Sequence, residues 1–335
     1  MKANNSDIVI SSRVRLARNI ADYPFPCRIG AEKAKELCSA VGGVLESAGY
    51  KLTDMSGVSR RDAAAMVERH VISPEFASGS LPRALASSED GAVNVMINEE
   101  DHLRIQAIAP GLCLEECLGR VMAADDILEA KLRYAFSEQL GYLTQCPTNV
   151  GTGIRASAML HLPALTASGE IRSLISAVSK LGFAVRGIYG EGSEAVGAIY
   201  QISNQLTLGF SEAEIIDRLE KAVESILGKE RALREQDKKR SPNRFSDTAH
   251  RALGILATAR MISSREAMSL LSDLRVGVSL GEIGSISYET INSLMWEIQP
   301  NSMAAAVKSA ASSERDLARA ELLRRSVREA ILNEI

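Results

Sequence analysis

The chain has no Gly-x-x-x-x-Gly-Lys-Ser/Thr segment, which excludes the usual phosphate-cradling loop with its lysine. It has only five cysteines (Cys27, Cys38, Cys113, Cys117 and Cys146), an odd and scattered set without a Cys-x-x-Cys pair. That argues against a zinc site or a disulfide framework and fits a reducing cytoplasm. No apolar run approaches the roughly 18–20 residues needed to span a bilayer, and no charged-then-apolar export segment opens the sequence, so a membrane or secreted protein is not expected. Aromatic residues are sparse, at 4%. The formal net charge of −3 provides no global basic field for nucleic acid, so any phosphate site must be built from locally grouped arginines. There is no internal repeat and no low-complexity tract.

What is present is an ordinary globular composition, 46% apolar and 24% charged over 335 residues, long enough for roughly two domains. Up to about Phe210, β-rich runs ("VNVMIN", "LRIQAIA", "IRASAMLHL", "FAVRGIYG", "AVGAIYQIS") are interleaved with helical stretches at 114–139 and 169–181. Short links between 92–97 and 103–109, and between 183–189 and 195–203, predict hairpins and a largely antiparallel sheet, hence an α+β domain. At Ser211 a Ser-x-x-Glu capping box opens a long helix, and beyond it the chain scans as amphipathic helix. The expected division is 1–225 for the α+β domain and 226–335 for a separate helical one.

Two patterns invite a chemical reading. "GTGIRA" (151–156) fits Gly-x-Gly-x-x-Gly/Ala, but a dinucleotide fingerprint must open a helix, and "SAMLHLPAL" that follows is β-like. The second is a set of arginines beside loops and strands: Arg13 and Arg15 in "SSRVR", Arg104 in "NEEDHLRI", Arg155 in "GTGIR" and Arg186 in "FAVRG". Arg13 and Arg15 project to one side if the segment is extended. Five forked, permanently charged guanidinium groups converging on one pocket would hold a triphosphate without a lysine loop. Glu100 and Glu191, on a hairpin tip and a glycine-rich turn, are candidates to prepare an acceptor.

"SSRVRLARNI", "NEEDHLRI", "CPTNVGTGIRAS" and "RGIYGEGSEA", in this order, resemble the motifs of the phosphagen (guanidino) kinases, the creatine and arginine kinase family. The resemblance implies an eight-stranded antiparallel sheet flanked by helices, with ATP as donor, Mg²⁺ carried by the nucleotide and no metal site of the protein's own. It also implies roles by motif. Ser12, Arg13, Arg15, Arg104, Arg155 and Arg186 would bind the nucleotide's phosphates and His70 its base. Glu100 and Glu191 would be the catalytic carboxylates, and Cys146 the thiol beside the acceptor guanidinium. A guanidinium is a poor nucleophile, so two carboxylates must orient it and one must take its proton; Glu100 is the expected base. Tyr189 stands where arginine kinases have an arginine, and Met159 where the family usually has a histidine, so adenine and acceptor contacts are expected to differ.

With "SSRVR" at residue 11, the N-terminal helical domain of the small-guanidine kinases is expected to be absent, and a C-terminal helical domain present instead. That combination resembles the bacterial protein-arginine kinases. It implies protein substrates with accessible arginines, an activating adaptor protein, delivery to a Clp ATPase and protease, and a homodimer or higher oligomer. In "ERDLARA" (314–320), Arg315, Asp316 and Arg319 resemble that group's regulatory phosphoarginine site. A kinase for a small free guanidine and a non-catalytic phosphoarginine-binding adaptor remain open as alternatives.

Overall fold

The polar-apolar alternation around Arg13 and Arg15 folds as the ten-residue strand β1 (Val9–Arg18), in a computed structural model that describes residues 5–188, 195–309 and 311–334. Along the chain follow α1 (Ala31–Ser47), β2 (Lys51–Asp54), α2 (Arg60–Glu68), α3 (Pro74–Ser78), β3 (Ala84–Ser87), β4 (Val93–Ile97), β5 (Leu103–Pro110) and α4 (Leu114–Glu129). Next come β6 (Phe136–Ser137), β7 (Gly141–Tyr142), β8 (Ile154–His161), α5 (Pro163–Ala167), α6 (Ile171–Lys180), β9 (Phe183–Gly187), β10 (Ile199–Asn204) and α7 (Glu212–Arg240). The rest is helical: α8 (Pro242–Thr258), α9 (Ser264–Ser279), α10 (Tyr288–Glu297), α11 (Pro300–Val307) and α12 (Ser312–Glu334). Among the described residues no helix is long and apolar enough to cross a membrane.

Eight strands form one antiparallel sheet in the order β2-β3-β4-β5-β1-β8-β10-β9, with β1 between β5 and β8. Both expected hairpins, β4-β5 and β9-β10, are present. One face of the sheet carries Val14, Leu16, Ile105, Ala156 and Ile202 into a core shared with α1, α4 and α7, and burial of this apolar area drives the packing. On β1 the register against β8 shifts between Val9 and Ser11, and such a bulge re-aims the side chains on either side of it. Ile10 therefore joins Met159 and Ile199 in a second core formed with α8, α9, α10 and α12. The helical region is thus seated on the sheet face opposite α1 and α4.

The capping box is as the sequence indicates: Ser211 and Glu214 satisfy each other's backbone N–H groups at the start of α7. That helix runs unbroken through 225 and 226 to Arg240, so the expected division falls inside one helix. The helix expected over 114–139 stops at Glu129. Beyond it Tyr134 turns back to donate its hydroxyl to Asp125 Oδ1 at 2.9 Å, and Phe136–Ser137 pairs with Gly141–Tyr142 as a small ribbon.

Asp125 also anchors Arg18. The pair is essentially inaccessible, at 2.8 Å, and the guanidinium carbon lies 3.5 Å from the centre of the Tyr142 ring. Asp125→Ala would leave that charge buried and unpaired, so the unfolding free energy should fall by about 3–5 kcal/mol, read by denaturant titration. A loss no greater than that from removing the exposed Asp217 partner of Lys221 would show that water reaches Arg18.

Candidate active site

The second face of the sheet is polar where the helical region leaves it open. Arg15 stands directly opposite Arg155 on β8 and Gln106 on β5; Arg13 stands opposite Ser157 and Ile108; Arg186 on β9 stands opposite Gln201. Like charges opposite each other in an antiparallel pair are destabilising, so this arrangement calls for an anion. Arg13, Arg15, Arg104, Arg155 and Arg186 all line one cavity of about 940 Å³, together with His70, Glu99, Glu100 and Cys146. The five arginines singled out from the sequence converge.

Electrostatics follow from that crowding. Burial and the adjacent Arg104 pull the Arg13 guanidinium down to about 10. Burial, then Arg13, Arg104 and Arg155, hold Arg15 well below the ordinary arginine value, and burial followed by Arg186 lowers Arg155. Among the described residues, the buried Nε atoms of Arg13 and Arg15 have no hydrogen-bond partner. Buried polar groups are almost always satisfied; these orphan donors fit the oxygens of a polyphosphate. Gly153, with φ 67°, lets the "CPTNVGTG" loop cross β1 so closely that a Cβ would lie 2.6 Å from the Ala17 carbonyl. The Gly-x-Gly pattern thus serves a backbone crossing and leads into β8, not into a helix.

The acids come from the β4-β5 hairpin. Asn98 takes the left-handed conformation its type tolerates, φ 64°, and its N–H closes the tip on the His102 carbonyl at 2.9 Å. Glu99 and Glu100 then part in role. The Glu99 side chain is 1% exposed and accepts from Ser73 Oγ at 2.6 Å, Arg104 Nη1 at 2.5 Å and the Glu100 N–H at 2.8 Å. Glu100 is 36% exposed and touches Arg104 only at 3.3 Å, leaving its carboxylate available to a ligand in the cavity. Asp101 and His102 are structural. Asp101 accepts from Asn19 Nδ2 and from the Gln145 N–H at 2.6 and 2.7 Å, tying the hairpin to the loop that carries Cys146. His102 Nδ1 accepts from the Ile20 N–H, while its Nε2 faces the Pro24 carbonyl.

Cys146 precedes a 3₁₀ turn (Pro147–Asn149), with its Sγ 3.0 Å from Thr148 Oγ1. ATP together with an arginine substrate should slow its alkylation, while Cys27, exposed and not on the cavity wall, should react unchanged. Peptide mapping after brief thiol labelling reads both, and no protection of Cys146 would take it off the acceptor wall.

Two expectations need correction. Ser12 is fully buried and faces the other side of β1, donating to the Gly111 carbonyl at 2.8 Å and accepting the Cys113 N–H at 3.0 Å; alternation puts Ser11 on the arginine face instead. Arg319 does not present its charge to a ligand. It is 1% exposed, donates to the Ile298 and Ile262 carbonyls, and holds Asp316, bracing α12 against two interhelix connections. Of that expected trio, Arg315 alone keeps a buried Nε without a hydrogen-bond partner among the described residues. Glu191 and Tyr189 lie outside the described residues.

The model of the ATP:guanido phosphotransferase C-terminal catalytic domain matches residues 31–233, and that of the protein-arginine kinase McsB C-terminal domain matches 242–334. The protein-arginine kinase of Geobacillus stearothermophilus is 45% identical over 331 residues, 97% of this chain and 91% of that one. This chain belongs to the protein-arginine kinase family. The kinase of Symbiobacterium thermophilum is 46% identical over 331 residues, covering 96% and 93% of the two chains. Among solved structures, a duplicated taurocyamine kinase from Schistosoma mansoni with bound transition-state-analogue components matches with TM-score 0.63 and 28% identity, over 71% of this kinase and 35% of that chain. As an ATP:guanido phosphotransferase, this protein-arginine kinase uses ATP as phosphoryl donor.

Proposed function

We propose that this kinase transfers the γ-phosphoryl group of ATP to a guanidinium nitrogen of arginine side chains in proteins, at the cavity floored by the five arginines. The observation that carries the reading is the convergence of Arg13, Arg15, Arg104, Arg155, Arg186 and Glu100 on that one space. The arginines hold the phosphates in line and neutralise the charge that builds on the transferring group, where positioning and electrostatics do most of the work. Glu100 accepts hydrogen bonds from the acceptor guanidinium and takes one of its protons as the new N–P bond forms and the bond from γ-phosphorus to the ADP oxygen breaks. Glu191 is the second carboxylate in this scheme, and Cys146 stands beside the acceptor. Glu99 is not the base: its carboxylate is committed to Arg104 and Ser73, and it supplies counter-charge to the clamp.

Mg²⁺ is proposed to enter on the nucleotide, as the resemblance to the guanidino kinases implies; when bound, it would supply further neutralisation of the phosphates. Residues 1–225 are proposed as the catalytic domain and 226–335 as the regulatory one, with α7 crossing the division: Glu230 accepts from the Ala164 and Leu165 N–H groups, whereas Arg234 and Lys238 reach Ser279 and Glu282 of the helical region. Arg315 and Asp316 are the residues proposed for a regulatory phosphoarginine, with Arg319 fixing Asp316 from behind. The resemblance further supports a cytoplasmic homodimer or higher oligomer, an activating adaptor, and delivery of marked proteins to a Clp ATPase and protease.

The reading is tested by measuring ADP formation with free arginine and with an unfolded, arginine-bearing protein at equal arginine concentration. Turnover with the protein and little with free arginine supports it. Preference for free arginine would favour a small-guanidine kinase, and no turnover with either a non-catalytic adaptor.

A further inference from the structure

Beside the clamp lies a smaller space of about 70 Å³. The two share Arg13, His70 and Gln201 as walls, and the smaller one adds Met159, Ile108 and Trp296. Trp296, the chain's only tryptophan, does not come from the catalytic region. It sits near the end of α10 in the helical region, half-buried, and its ring meets His70 edge to face, with centroids 5.1 Å apart and planes at 83°. A second contact fixes it there. Glu68, the last residue of α2, accepts from the Asn301 N–H (2.9 Å), Asn301 Nδ2 (2.8 Å) and the Ser302 N–H (2.6 Å) at the start of α11, directly after α10. The helical region is therefore fastened two residues from His70, which itself holds a left-handed backbone, φ 60°.

We propose that Trp296 is the base-side wall of the nucleotide site, so that the helical region completes the pocket for a purine whose phosphates lie on the arginine clamp. This rests on reading the clamp as the ATP site. The annex offers what a heterocyclic base needs, two aromatic rings, His70 and Trp296, in its wall beside apolar Met159 and Ile108, and base-aromatic contacts are worth enough to set affinity. Its size suits the edge of a base with the remainder over the shared wall. His70 is suited to this environment: burial, then Arg13 and Arg15, push its pKa down to about 4, so an uncharged ring faces the pocket at neutral pH. Because the wall is delivered by the other region, ATP affinity and docking of the helical region are linked, and the linkage is reciprocal.

The single tryptophan makes the test direct. Intrinsic fluorescence of the wild-type protein is followed during titration with ATP and with inorganic tripolyphosphate, while calorimetry records binding of each. ATP should change the emission and tripolyphosphate, although bound, should not. Trp296→Ala should raise the KM for ATP about tenfold with kcat within about twofold of wild type, and Trp296→Phe should recover most of the loss. Tripolyphosphate binding by Trp296→Ala shows that the clamp has kept its fold; if it has not, the wild-type fluorescence and Trp296→Phe decide. ATP that binds without changing the emission, with an unaltered KM in the variants, overturns the inference and leaves the clamp standing. Failure of the wild type to bind either ligand would instead defeat the reading of the clamp.

Discussion

Glu100→Gln should lower phosphoryl transfer to arginine by about 10²–10⁴-fold, the range for loss of a general base, while ATP still binds. The substitution keeps size and hydrogen-bonding shape but removes the ability to accept a proton. Glu100 is the carboxylate of the pair that remains open to the cavity, its contact to Arg104 being 3.3 Å long, so the nucleotide-holding geometry should survive. Glu99→Gln should behave differently. It removes the counter-charge that opposes the mutual repulsion of Arg13, Arg15 and Arg104, so ATP affinity should change along with rate. Steady-state kinetics with ATP titrated calorimetrically separates the two. Wild-type turnover in Glu100→Gln would take the base elsewhere.

Arg15→Met should have the largest effect on nucleotide use, and its sign should differ between two measurements. Arg15 lies at the centre of the clamp, opposite Arg155 and two residues from Arg13, with a buried Nε that nothing else satisfies among the described residues. Losing it should reduce kcat/KM for ATP by about 10²–10³-fold, the scale for one pre-positioned donor to developing charge. The nucleotide-free protein, by contrast, should become more stable by about 1 kcal/mol, because replacing a buried, like-charged group by an apolar one of similar length relieves desolvation and repulsion. The side chain is only half-buried overall, so water screens part of that repulsion and a larger gain is not expected. Thermal unfolding with and without ATP reads both: a higher apo midpoint, and loss of the upward shift that a ligand of the folded state causes. Retained ATP stabilisation would mean that the phosphates bind off this row.

Much of this site was legible in the sequence because its residues obey local rules. Arg13 and Arg15 are two apart on a strand, so they had to share a face, and Val14 between them with Leu16 beyond marks the other face as core. The β4-β5 hairpin, the strand after "GTG" and the Ser211 capping box were equally local. Ser12 shows what neglecting the same rule costs: alternation from Arg13 leads to Ser11, and Ser12 turns inward to the start of α4. What could not be read depended on distant partners. Glu99 looks like a polar tip until Ser73, from the turn before α3, meets it. Arg319 looks like an exposed helix charge until the Ile262 and Ile298 carbonyls arrive from two connections. β2 and β3, four residues each, are too short to carry a period. Trp296 meets His70 because helices from the far end of the chain pack on the sheet through Ile10, Met159 and Ile199 and are tied to α2 through Glu68.

The most direct test of the account is to incubate the purified kinase with ATP and an unfolded, arginine-containing protein, then map the product by mass spectrometry under neutral conditions that spare acid-labile N–P bonds. Phosphate on arginine side chains, formed by the wild-type protein and absent with Glu100→Gln and Arg15→Met, is the result this account predicts. Phosphate on serine, threonine or tyrosine, or phosphoarginine formed at the wild-type rate by either variant, would contradict it.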